Sequence, residues 1–177
     1  MSSIEENVQN IWNSNQLLLG VPLIDIQHLW LIVIISQLNH LLEESVSENF
    51  ELDNQIGAVL NYIDVHFKTE EEILKKLNYP VLAVHASQHQ EFVRHINQDL
   101  IAEHILDPRS LAKLMRDFLL KWLSSHINVE DKEYNYFIKG KNLDIHQISL
   151  ELIKEKSIEF SEDQIYFYKK IIGDWII

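Results

Sequence analysis

The sequence predicts an all-α protein, an antiparallel up-down-up-down four-helix bundle with an N-terminal arm before it and a helical C-terminal extension after it. Three observations predict this. Only 4 glycines and 3 prolines occur in 177 residues, few for the tight turns of a sheet-rich chain. Apolar residues recur at helical spacing over long stretches, as in Leu52, Ile56, Val59, Leu60, Ile63, Phe67, Ile73 and Leu74. The connections between such stretches are short, and short connections force neighbouring helices antiparallel.

The elements follow in order. Residues 1–20 are polar and mixed, with Trp12 and the run Leu17-Leu18-Leu19 as anchors, and read as an N-terminal arm. Gly20 and Pro22 punctuate it. The first bundle helix is expected from about Asp25 to Glu44, followed by a polar connection over 45–49. The second runs from about Phe50 to Leu77. Asn78-Tyr79 leads into Pro80, a residue favoured at the first helical position, and the third helix continues to about Glu103. Asp107-Pro108 combines an N-cap acid with proline directly after it, so the fourth helix covers about Pro108 to Ile138.

Gly140 ends the pattern, dividing a bundle domain over 1–139 from an extension over 140–177. The extension is too apolar to be a disordered tail. Ser161-Glu162-Asp163-Gln164 has capping-box spacing and predicts a helix that holds Ile165, Tyr168, Ile171, Ile172 and Trp175. Between 142 and 160 the local alternation of Ile148, Leu150 and Leu152 suggests strand. The Glu, Lys and Leu content there favours helix.

Composition narrows the function. The formal net charge is −12, from 27 acidic and 15 basic residues, which argues against nucleic acid or an anionic membrane as partner. There is no cysteine, so any metal must be held by nitrogen and oxygen. The N-terminus carries no basic region followed by an apolar stretch, and the longest strongly apolar run, Leu29 to Ile35, is too short to span a bilayer. The expectation is a soluble, cytoplasmic protein.

Nitrogen and oxygen ligands are present in a pattern. His28 lies on the first helix, His66 and Glu70 on the second, His85 and His89 on the third, and His126 and Asp131 on the fourth. Residues four apart on an α-helix differ by about 40° of rotation and about 6 Å of rise, so His66 faces with Glu70 and His85 with His89. Alone, His28 would pass for a core histidine and His66–Glu70 for a surface pair. One set on each of four helices is instead how bundles build metal sites, and this set is too large for one ion. His126 and Asp131 are five apart, which rotates them about 140° from each other on a regular helix. A π-bulge between them is therefore predicted, because such bulges recur at functional sites. The remaining histidines, His40, His95, His104 and His146, fit no such geometry and read as surface residues.

These residues stand in four motifs: D-x-Q-H ending at His28, H-F-x-x-E-E from His66, Y-P-x4-H-x3-H ending at His89, and W-L-x2-H-I-x3-D ending at Asp131. Together they resemble the hemerythrins, especially the bacterial single-domain ones, over roughly Trp12 to Ile138. The resemblance implies a non-haem di-iron centre that binds dioxygen reversibly. It implies that His85, His89 and His126 hold one iron and His28 and His66 the other. Glu70, Asp131 and an oxo or hydroxo group would bridge them. Six positions are then filled on the first iron and five on the second, where dioxygen would bind. Leu31, Phe67, Trp122, Leu123 and Ile127 are implied around the oxygen pocket.

The expected role is thus oxygen carrier, store or sensor and not an enzyme. The alternatives are a di-iron enzyme with oxidase, peroxidase or nitric-oxide chemistry, or an oxygen- or iron-responsive regulatory module. Manganese or zinc in place of iron is not decided by ligand type. Two features depart from the family pattern: the apolar run after His28, and the extension beyond Gly140. Both point to an outer face of the first helix covered by the extension or by a second copy in a homo-oligomer.

Overall fold

The computed structural model describes residues 3–43, 49–102, 108–156 and 158–174, and among these the chain is helical with no strand. The N-terminal arm is itself a helix, α1 (Ile4–Asn15). Ser3 caps it by accepting from the Glu6 backbone N–H while the Glu6 side chain accepts from the Ser3 N–H. That S-x-x-E signal stands in the sequence, but the polar composition around it masks the helix. Val8 and Trp12 are the buried face of α1.

Gln16 ends α1 in a left-handed conformation, and Gly20, at φ +88°, turns the chain into α2 (Pro22–Glu43). Asp25 fastens this corner, accepting from the Leu19 and Gly20 backbone N–H groups at 2.7 and 2.8 Å. Burial pushes its pKa up to about 7, against the pull of these amides.

The helix α3 (Asn49–Lys76) follows, then α4 (Leu82–Arg94), which continues as a π-helical stretch over His95–Ile101. Pro80 does not open α4 as expected. It lies in a turn, and the first helical bonds run from Val84 and His85 back to Val81. The helix α5 (Pro108–His126) passes through a π-helical turn (Ile127–Asp131) into α6 (Lys132–Lys141). The ambiguous stretch of the extension is α7 (Ile145–Lys156), and Ser161 caps α8 (Glu162–Ile171) with the capping box its sequence predicts. The connection expected at 45–49, the Asp107 cap and Trp175 lie wholly or mainly outside the described residues.

Paired contacts give the helices their relative senses. Gln55 of α3 donates to the Ile34 carbonyl, whereas His66 meets Gln27, so α2 and α3 run oppositely. Arg116 reaches Asn39 while Asp131 reaches His28, which orients α5 and α6 against α2 in the same way. His89 lies against His126 and Phe92 against Phe118, so α4 and α5 are also opposed.

The helix α2 is buried on nearly every side, from Leu23 through Leu38. Its sequence therefore lacks the polar outer stripe of a surface helix. It is covered from one direction by α1 and from another by α8, whose Phe167 ring meets Trp30 edge-on at 6.4 Å and whose Tyr168 is buried with the same core. These contacts cover the apolar run after His28 within a single chain. The helix α7 packs on α3 and also touches α2, and Lys76 pairs with Glu155 at 2.9 Å.

The interior falls into two apolar clusters. One contains Leu29, Leu31, Phe67, Leu123 and Ile127; the other contains Leu23, Ile24, Leu74, Tyr134, Ile138 and Leu152. Along α2, α3 and the α5–α6 unit, the switch from one cluster to the other falls at the histidine and carboxylate positions. The polar group therefore sits at a seam inside the core.

Candidate metal centre

All seven of the candidate metal ligands, His28, His66, Glu70, His85, His89, His126 and Asp131, are buried. His28, Glu70 and Asp131 are completely enclosed, and His66, His85, His89 and His126 are at most 3% exposed. The difficulty with His126 and Asp131 is resolved where expected, because residues 127–131 wind as a π-helix. Bonding from i to i+5 brings residues five apart onto one face. As a result His126 Nε2 lies 3.0 Å from Asp131 Oδ1.

The other contacts close around this pair. Glu70 Oε2 is 3.3 Å from His85 Nε2 and 3.2 Å from His89 Nε2. His89 Nε2 and His126 Nε2 approach to 3.2 Å, and His28 Nε2 lies 3.3 Å from Asp131 Oδ2. Two groups emerge: Glu70, His85, His89 and His126, and then His28, Glu70 and Asp131, each with donor atoms within 4.8 Å of one another. Glu70 belongs to both. His66 stands slightly apart from these groups, its ring 4.8 Å from that of His28.

Electrostatics make the cluster costly without a cation. Burial holds the His28 pKa well below the usual imidazole range, lowers His66 to about 4 and lowers His126 to about 3. Burial also drives Asp131 upward, and the neighbouring Glu70 adds to this. At Glu70 burial acts the same way but is outweighed by contacts from His85 and His89, which hold its pKa low. Imidazoles and carboxylates are thus crowded together inside the core, with His28, His66 and His126 held neutral by burial. His28 Nε2, His66 Nε2 and both Asp131 oxygens have no hydrogen-bond partner. A buried polar atom left unpaired costs about 1–3 kcal/mol. Cations among these atoms would satisfy them together, so the donor set fits a metal.

Outer partners orient the rings. Gln27 Oε1 accepts from His66 Nδ1 at 3.1 Å and Glu71 Oε1 from His89 Nδ1 at 2.9 Å, which leaves each Nε2 turned to the cluster. Glu130 Oε2 lies 3.8 Å from His126 Nδ1. The Tyr134 hydroxyl, fully buried, donates to Glu70 Oε1 at 2.6 Å. Sequence reasoning missed Glu71, Glu130 and Tyr134. The available signal was adjacency, since two directly neighbour a candidate ligand and Tyr134 follows Asp131 by three residues.

Of the residues expected around an oxygen pocket, Leu31, Phe67, Leu123 and Ile127 are buried. The Phe67 ring stacks on His89 at 3.8 Å, and the Trp122 ring stacks on His126 at 4.2 Å. Trp122 is only half-buried and lines a cavity of about 570 Å³ between α4 and α5. His95, read as an ordinary surface histidine, lines the same cavity.

These features define a helical protein with a buried histidine–carboxylate cluster able to hold metal. The model of the family described as Hemerythrin HHE cation binding domain matches residues 19–138, and the chain belongs to the hemerythrin family. It is 30% identical over 134 residues to a bacteriohemerythrin of Stenotrophomonas maltophilia (strain R551-3), covering 73% of this chain and 82% of that one. A bacteriohemerythrin of Clostridium acetobutylicum is 29% identical over 118 residues, 66% of this chain and 92% of its own. A hemerythrin-like protein of Naegleria gruberi is 26% identical over 106 residues, 54% of this chain and 82% of its own. No solved structure matches the chain at a comparable level. The family match ends at residue 138, before α7 and α8. Among the described residues no helix is long and apolar enough to cross a membrane.

Proposed function

We propose that α2, α3, α4 and the α5–α6 unit form an up-down-up-down bundle that holds two iron ions and binds dioxygen reversibly. His85, His89 and His126 would hold one ion, His28 and His66 the other, with Glu70 and Asp131 shared between them. Held there, a pair of ferrous ions would supply the redox chemistry that reversible dioxygen binding needs. The observation that carries the reading is the set of unpartnered buried atoms, His28 Nε2, His66 Nε2 and both Asp131 oxygens, between helices that hold them in place.

The histidines divide unequally, and the side with two would leave a position on its ion for a ligand. Leu31, Leu123 and Ile127 would keep water and its protons from that side, which favours release of the ligand intact. Trp122 and Phe67 restrain the rings of the three-histidine side by stacking. Gln27 and Glu71 keep His66 and His89 in the tautomer that offers Nε2. The reading is of a soluble cytoplasmic carrier, store or sensor and not an enzyme. The bundle would be the domain over 1–139 and α7 and α8 a packed extension.

The test is an anaerobic ferrous sample with its iron counted, exposed to oxygen and then purged through repeated cycles. A visible absorption band that rises on oxygenation and vanishes on purging supports the proposal. Irreversible oxidation with turnover of a reductant would favour the oxidase or peroxidase reading. Two bound irons with no oxygen response would overturn the binding role.

A further inference from the structure

The cluster is sealed on most sides, and a hydrated ion has to reach it. The two apolar clusters lie on either side of it, and His28 on α2 and His66 on α3 are buried. The cavity between α4 and α5 is different in kind. Its lining includes Glu91, His95, Trp122, Ser125 and Glu130, and part of its wall is the His126 ring. That ring has two faces of business. Its Nε2 is 3.0 Å from Asp131 and 3.2 Å from His89, inside the cluster. Its Nδ1 looks to the cavity carboxylate of Glu130 at 3.8 Å.

We propose that this cavity is the entry route by which a hydrated divalent cation reaches the metal centre, with Glu130 as its inner carboxylate. The inference rests on the reading of the cluster as a metal site. Glu130 is suited to hand on a cation. Its side chain is 26% exposed, so one part meets solvent, while its Oε2 is buried without a hydrogen-bond partner. Glu91 stands in the cavity lining too, but it is paired with Arg94 at 2.6 Å and so contributes less field. A cleft with a carboxylate and low-dielectric walls concentrates cations and raises their entry rate. The aromatic walls Trp122, Phe92 and Phe118 supply such surroundings.

The experiment follows loading of the metal-free 177-residue chain with ferrous ion under anaerobic conditions and, separately, with cobalt(II). Rate and final stoichiometry are both recorded. Glu130→Gln and Ser125→Arg, the latter placing a cation at an exposed cavity position, should each slow loading by about tenfold. Final occupancy of Ser125→Arg, and the helical signal of both metal-free variants, should be unchanged. Glu159→Gln, the same kind of charge change at an exposed position between α7 and α8, should load like the starting protein. Equal loading rates in all four proteins would overturn the route. So would reduced occupancy in Glu130→Gln at an unchanged rate, because Glu130 would then hold metal and not admit it. Failure of the unsubstituted protein to take up either ion would instead overturn the metal-site reading, and the entry route with it.

Discussion

The two sides of the polar cluster differ in how they meet the rest of the molecule. On one side His28 and His66 are fully enclosed, and the atoms they turn inward have no partner. On the other, His89 and His126 each have a carboxylate behind them, Glu71 or Glu130, and His126 borders a cavity open to solvent. Identical side-chain chemistry is thus set in a sealed half and a half with access. The contrast teaches that one cluster can have unlike surroundings: one half is closed off by the core, and the other borders a cavity.

The widest effect is expected where the halves meet. Glu70 is common to both groups of donors, so Glu70→Ala should abolish metal retention, read by metal analysis after desalting. If Glu70→Ala kept a full complement, the halves would not share a ligand. In the unsubstituted protein, metal present at a hundred times its Kd should stabilise the fold by about 2.7 kcal/mol, a gain that chelation removes and urea unfolding measures.

Acid should act on both halves of the metal-free protein. The folded-state pKa values of His66 and His126, about 4 and about 3, lie below the unfolded value of 6.5. Folding therefore favours their neutral forms. Their contribution is fully present above pH 6.5 and is lost as pH falls through 6.5 toward 4 and 3. The urea midpoint of the metal-free protein should drop across that window, and a midpoint independent of pH would contradict the burial argument.

The sealed half should be the more sensitive to truncation. Leu123→Ala removes a buried side chain of the apolar cluster that also holds Leu31 and Ile127 and should cost about 2–5 kcal/mol in urea unfolding. Tyr134→Phe deletes only the hydroxyl that donates to Glu70. It should cost about 1–3 kcal/mol and weaken metal binding about 10–100-fold while leaving the fold unchanged, measured by competition with a chelator. Smallest of all is Ser125→Ala at the exposed cavity rim, expected within about 0.5 kcal/mol of the starting protein. A larger loss there would mean that the rim is packed and not open.

Much of the fold was legible because helix formation is local. Few glycines and prolines, long apolar periodicities and the Ser161 capping box place helices with only neighbouring residues in view. The π-turn was legible for the same reason. Two side chains five apart can share a face only if the helix widens between them, and it does at 127–131. What was lost is also local in origin. The Ser3–Glu6 capping box was present, but the polar residues around it hid α1, whose buried face is no more than Val8 and Trp12. At Pro80 a favoured first-turn residue is left in the turn before α4, because helical bonding begins only at Val81.

By itself the sequence determined which side chains share a helix face, and hence that four local sets of nitrogen and oxygen donors exist. Spacing along one helix is set by its own backbone geometry. Only the tertiary structure decided how these sets meet across helices. That Glu70 joins both groups, that Tyr134 reaches it from α6, and that His126 and Glu130 line one cavity depend on how helices rotate and slide against one another. The burial of α2 under α1 and α8 is a decision of the same kind. An apolar run announces that it will be covered, but which surface covers it is settled by packing of the whole chain.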